Sequence, residues 1–189
     1  MDSILEQVRE FADKAHGTQV RKYASERYIA HPVRVMEMCR RYTSSLPILA
    51  AALLHDVLED TGVDQKALHG FLRSTMNDED AKQTLNLVVE LTDVYVKSAY
   101  PRWNRRKRKT KEAERISKTS PDSQTIKYAD IIDNCREIAE HDPDFAGVFL
   151  LECKMLLRKI PEGQPELYRE ATDTVELSLR QVPRKFRRA

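Results

Sequence analysis

Glycine is scarce, 5 in 189 residues. Glycine-rich sheet turns and glycine-rich phosphate loops are therefore disfavoured, and neither GxGxxG nor GxxxxGK[ST] occurs. The 3 cysteines, Cys39, Cys135 and Cys153, are an odd number with no CxxC pair. That argues against a disulfide framework and a thiolate zinc site, and points to a reducing cytoplasm. The N-terminal MDSILEQVREFADK is amphipathic and mixed in charge, unlike a signal peptide. The longest strongly apolar run, Leu46 to Leu54, has 9 residues, whereas a bilayer span needs about 20. No sign of charge dominates: 32 Lys+Arg against 30 Asp+Glu leave +2. A domain that grips polyanions by bulk charge is usually far more basic. At 41% hydrophobic and 7% aromatic residues, the chain exceeds a disordered composition and can build one helical core.

Apolar residues recur at helical spacing almost throughout. Ile4, Leu5, Val8, Phe11, Ala12 and Ala15 predict a first helix with Ser3 as its N-cap. Residues 17–28 are polar and irregular. Pro32 marks the start of a second helix, and Pro47 opens a third that runs from Ile48 to about Glu59, ended by Gly62 at positive φ. Helices are expected near 64–73 and 79–93, the latter capped by Asp78. Nine Lys or Arg and two Glu crowd 97–115, read as part of a basic lid or loop over about 97–120. Helices follow over about 122–140, 144–159 and 166–181, and the basic tail 183–189 is expected to be disordered. With no repeat and no strand-like alternation, the chain reads as all-α, one domain over 1–182.

The chemistry concentrates in His55-Asp56-Val57-Leu58-Glu59-Asp60-Thr61, at the end of an apolar helix. Charged groups in apolar company are expensive unless they pair or bind metal. Helical spacing puts Glu59 four residues after His55 and Asp60 four after Asp56, so three carboxylates crowd together, a repulsion that a divalent cation relieves. His31, before Pro32, projects from a helix start. Asp130, Asp133 and Asn134 form one polar face of a later helix whose other face carries Ile126, Ala129, Ile132 and Ile138. His31, His55, Asp56 and Asp130 make a two-imidazole, two-carboxylate set suited to manganese, iron or zinc. Each piece also has an ordinary reading. An HD dipeptide alone means little, His31 alone could cap a helix, and Asp130 and Asn134 could face solvent.

In order, Arg21-Lys22, Tyr28-Ile29-Ala30-His31-Pro32, the HDVLEDT stretch and Lys127-Tyr128-Ala129-Asp130 to Asp133-Asn134 resemble the HD-superfamily alarmone hydrolases, over about residues 12 to 155. These are the hydrolase halves of RelA/SpoT-type enzymes and the free-standing small alarmone hydrolases. The resemblance implies an HD-type helical bundle with a metal site in its central cleft. His31, His55, Asp56 and Asp130 would hold Mn²⁺ or another divalent metal, and Glu59 and Asp60 would position and deprotonate the attacking water. Arg21 and Lys22 would contact substrate, Asn134 would line the nucleotide pocket, and the basic run, Arg106 and Lys107 among it, would draw in a polyanionic nucleotide. The implied reaction removes the 3′-pyrophosphate of (p)ppGpp, without a synthetase domain. Where relatives carry Gly and Pro between the RK pair and YIxHP, this chain has Tyr23-Ala24-Ser25-Glu26-Arg27, so an adenosine alarmone such as (p)ppApp is a second candidate.

Competing readings keep the metal and change the substrate, to the phosphate of NADPH, or make the chain an antitoxin that neutralises an alarmone synthetase. A nucleic-acid module using 102–111 leaves the acidic cluster unexplained. The expected partners are a small-molecule nucleotide and no membrane, with a second copy of the chain and a cognate synthetase toxin as further candidates. His16 reads as structural at a helix end, His69 and His141 as surface residues, the cysteines as small core residues, and Trp103 as either a stacking platform or a loop anchor.

Overall fold

A computed structural model describes residues 1–22 and 26–183. Most of the loop 23–27 and of the basic tail, namely 23–25 and 184–189, lies outside the described residues. Among those described the architecture is all-α, its only β feature being an isolated bridge between Val20 and Arg27. Among the described residues no helix is long and apolar enough to cross a membrane. The Cα trace divides into two compact units, Met1–Thr92 and Asp93–Ala189.

The first unit is built around α3 (Leu46–Leu54), whose residues from Pro47 to Leu54 are all buried. A helix apolar on every side must sit inside, and α3 packs against α1 (Asp2–His16), α2 (Ala30–Arg40) and α6 (Asp78–Leu91). α1 turns Leu5, Val8, Ala12 and His16 inward at helical spacing. Ser3 does not cap it: α1 already begins at Asp2, with no side-chain cap. α6 is capped by Asn77, whose side chain accepts from Asp80 N at 2.9 Å, and not by Asp78. α5 (Gln65–Thr75) is capped by Asp64 and stacks Phe71 on Phe11 at 4.0 Å.

The helix expected from Ile48 to Glu59 is two helices. α3 stops at Leu54, and the single turn α4 (Val57–Asp60) starts after Asp56, whose backbone lies at the edge of the helical region at φ −98°, ψ −5°. The His55 ring donates from Nδ1 to the Ala52 carbonyl at 2.8 Å, an acceptor that a continuous helix offers to the Asp56 N–H. α4 ends without a positive-φ glycine. Thr61 is extended, and its hydroxyl donates to the Val57 carbonyl at 2.7 Å and accepts from Val63 N. The positive φ, 58°, sits at Gly17 instead of Gly62.

The second unit comprises α7 (Arg105–Ile116), α8 (Pro121–His141), α9 (Pro143–Leu157) and α10 (Pro165–Gln181), with α8 packed on α9 and α10. The last three each begin with proline after a capping side chain, Ser120, Asp142 and Gln164, which accept from Ser123 N, Phe145 N and Leu167 N. Proline lacks the N–H that a first helical turn leaves unused, and the cap satisfies one of the others. The basic segment is partly helical, because Asn104 caps α7. The turn 160–164 is clasped to α8: Gly163 N donates to the Tyr128 hydroxyl at 3.0 Å, Glu162 N to Gln124, and Gln164 N to Thr125. The three cysteines are free and buried.

Candidate metal centre

The break between α3 and α4 is what assembles the site. His55 closes α3, Asp56 opens α4, and His31 stands in the first turn of α2. His31 and His55 are 1% and 3% exposed, and their rings meet edge-on at 5.1 Å. Asp56 Oδ2 lies 3.1 Å from His55 Nε2 and 3.6 Å from His31 Nε2. One donor atom from each of the three falls within 4.8 Å of the others.

The chemistry of this set fits a divalent cation. A carbonyl only accepts, so the bond to Ala52 places a proton on His55 Nδ1. In the neutral ring Nε2 then carries a lone pair, and it faces a carboxylate oxygen at 3.1 Å. Two acceptors at that distance repel until a proton or a cation lies between them. A backbone carbonyl on the far nitrogen is also the usual orienting partner of a metal-ligating histidine.

Around the triad lies a layer that includes Tyr28 and Gln19, to which the sequence alone assigned no role. The Tyr28 hydroxyl is 2.7 Å from Asp56 Oδ2 and 3.0 Å from Asp60 Oδ2. Burial, then the Asp56 charge, holds this phenol well above its ordinary range. Burial, then the Asp56 charge, also raises the Asp60 carboxyl above its usual range. The Tyr28 ring stacks on His16 at 4.4 Å, presents an edge to His31, and lies under the Arg21 guanidinium at 5.8 Å. His16, 4% exposed, pairs through Nδ1 with Gln19 Oε1 at 2.9 Å, and its Nε2 has no hydrogen-bond partner among the described residues. Gln19 Nε2 donates to the Asp60 carbonyl at 2.8 Å. The one available signal was position: Tyr28 lies three residues before His31 in the motif itself.

The remaining expected site residues are placed as follows. Glu59 and Asp60 lie on α4, with Glu59 N bonded to the Asp56 carbonyl. Arg21 is half-buried and Lys22 exposed in the segment after α1. In the second unit, Asp130 and Asp133 on α8 are 6% and 3% exposed, so this face is not a solvated one. Both Asp130 oxygens are engaged, Oδ1 by Asn134 Nδ2 at 2.6 Å and Oδ2 by Lys127 Nζ at 2.8 Å. On α7 most of the cations are committed: Arg105 to Glu152, Lys109 to Asp93, Lys111 to Glu114, Arg115 to Glu112. Lys107 lies over the Trp103 ring at 4.2 Å, and Trp103 packs on Tyr95 and Tyr100 as an anchor. Arg102 and Arg106 make no ion pair among the described residues.

Residues 28–135 match the HD domain family, and the chain belongs to it. HD-domain hydrolases bind divalent metals, in keeping with the histidine–aspartate group described above. By sequence and by structure the chain is related to guanosine-3′,5′-bis(diphosphate) 3′-pyrophosphohydrolases. The human enzyme of that name, MESH1, is 30% identical over 145 residues, which cover 74% of this chain and 72% of that protein. The solved structure of a metazoan SpoT orthologue that hydrolyses ppGpp superposes with a TM-score of 0.69 at 25% identity, covering 97% of this chain and 95% of that one. A probable GTP pyrophosphokinase of Mycobacterium leprae is 39% identical over 66 residues; the match takes in 35% of this chain and 8% of that protein's length.

Proposed function

We propose that the protein is a metal-dependent hydrolase that removes the 3′-pyrophosphate of (p)ppGpp or an adenosine counterpart. The observation that carries this reading is the closeness of His55 Nε2 and His31 Nε2 to Asp56 Oδ2, at 3.1 and 3.6 Å, in a chain whose likeness to the solved metazoan SpoT orthologue covers 97% of its length. Asp130 is the proposed fourth ligand, resting on its place in the HD motif order, and Mn²⁺ the proposed cation. A bound divalent cation supplies a water acidified to a pKa of about 7 and a counter-charge for phosphate oxygens.

The protein's own groups do the rest. Glu59 and Asp60 take the proton from the attacking water as its oxygen bonds to phosphorus. The bond from that phosphorus to the ribose 3′-oxygen breaks, the proton taken by the carboxylates passes to the 3′-oxygen, and pyrophosphate leaves. Arg21 and Lys22 bind and orient the pyrophosphate, and their charge offsets what builds on its oxygens. Asn134 is proposed for the nucleotide pocket. Arg106 and Lys107 are proposed for capture of the polyanion; Arg106 has no competing ion pair among the described residues, and Lys107 lies over the Trp103 ring. The reading includes a cytoplasmic setting, which the free cysteines suit, and a second copy of the chain or a cognate alarmone synthetase as partner.

The test is product analysis. Protein incubated with ppGpp, pppGpp, ppApp and pppApp, with Mn²⁺ and with EDTA, is expected to release pyrophosphate only with metal. No turnover on any of the four refutes the substrate class, and phosphate release from NADPH in the same assay would reassign it.

A further inference from the structure

We propose that Tyr28 is a positioning residue whose single hydroxyl sets the metal-ligating carboxylate, Asp56, and the water-activating carboxylate, Asp60, in register with each other. The inference rests on the reading above for the roles of those two aspartates. Its observations are separate from that reading.

The hydroxyl lies within hydrogen-bond distance of Oδ2 on both carboxylates, at 2.7 and 3.0 Å. A phenol has one proton to give. Two like-charged groups that repel thus share one donor, which ties the direction of each to the other. The Asp56 oxygen that accepts is the same atom that faces His55 Nε2 and His31 Nε2. Tyr28 therefore acts on the atom that would meet the cation.

The ring has little freedom to carry the hydroxyl elsewhere. It is stacked on His16 on one side and meets the edge of His31 on another. His16 is held in turn. Gln19 must present Oε1 to His16 Nδ1, because its Nε2 donates to the Asp60 carbonyl. Asp60 is thus gripped twice from the connection between α1 and α2, at its carbonyl through Gln19 and at its carboxylate through Tyr28. Partners in this position around metal ligands typically change affinity or activity by about 10- to 100-fold when removed.

Tyr28→Phe removes the hydroxyl and keeps the stacked ring. Mn²⁺ affinity is read by isothermal titration calorimetry, turnover by pyrophosphate release, and folding by circular dichroism. The expected result is a Kd for Mn²⁺ raised about tenfold or more and a kcat lowered about tenfold or more, with KM within about twofold of wild type. A purely packing role leaves the Mn²⁺ Kd unchanged. Gln19→Leu is the second variant. It frees the Asp60 carbonyl and the His16 ring together, keeps the Tyr28 hydroxyl, and is expected to lower kcat about tenfold. A folded Tyr28→Phe protein with wild-type Mn²⁺ affinity and kcat overturns the proposal, and Gln19→Leu with wild-type kcat overturns its Asp60 half. If wild type hydrolyses no alarmone but Tyr28→Phe still weakens Mn²⁺ binding, the substrate reading fails and the Tyr28–Asp56 link stands. The reverse pattern sinks Tyr28 alone.

Discussion

The confrontation of His55 Nε2 with Asp56 Oδ2 at 3.1 Å leads to a thermal prediction. A cation held by His31, His55 and Asp56 would bind only the folded chain, since the unfolded chain does not bring His31 beside Asp56. At a free Mn²⁺ concentration of about 100 times Kd, such linkage adds about 2.7 kcal/mol to stability. For a chain of this size each kcal/mol moves Tm by about 2–4 °C, so the shift should be about 5–11 °C. The assay is scanning calorimetry of the protein with EDTA and with Mn²⁺ at a level that titration calorimetry shows to be saturating. His55→Ala should abolish the shift, because it removes one of two buried imidazoles in the group. A shift of the same size in His55→Ala, or none in wild type under saturating Mn²⁺, refutes the assignment of this group as the cation site.

Other expectations follow from particular residues. Glu59→Gln should keep Mn²⁺ and lose about 10²- to 10⁴-fold in kcat, the range of a lost general base, and full turnover in this variant would remove Glu59 from that role. Gly163→Ala should be destabilising, because a Cβ there would lie 2.6 Å from Tyr128 Cε2 and 2.8 Å from the Thr125 backbone nitrogen. Overpacking of that kind costs about 1–3 kcal/mol, a Tm loss of about 2–12 °C by calorimetry, and an unchanged Tm would mean the turn moves aside. Burial pushes the Cys39 thiol up to about 12. Between the ordinary thiol value and that one the unfolded chain ionises while the folded chain does not, so stability should fall as pH rises through this window. Cys39 should also resist iodoacetamide in the native protein at mildly alkaline pH and react on unfolding, as followed by mass spectrometry.

The helices were legible from local signals. The spacing of Leu5, Val8 and Ala12 along α1 and the unbroken apolar run of α3 follow from which residues must avoid water. The prolines that open α8, α9 and α10 follow from an N–H that the first turn does not use. The motif order also singled out His31, His55 and Asp56, which the fold brings within ligating distance. Other features were out of reach. Periodicity cannot see the stop between α3 and α4, because it depends on a side chain capturing a carbonyl three residues back. Nor can composition tell Asn77 from Asp78 as a cap, or show that Asn104 lets a strongly basic run wind into α7.

Residue type and spacing thus determined which side chains could carry the chemistry. What each is bonded to was decided by the tertiary structure. Tyr28 reads in sequence as an aromatic before a histidine, and becomes a link between two carboxylates only when α4 lies against it. Gln19 and Asp60 are 41 residues apart, yet they meet. Hydrogen bonds are short-ranged and directional, so partners that far apart along the chain are set by packing.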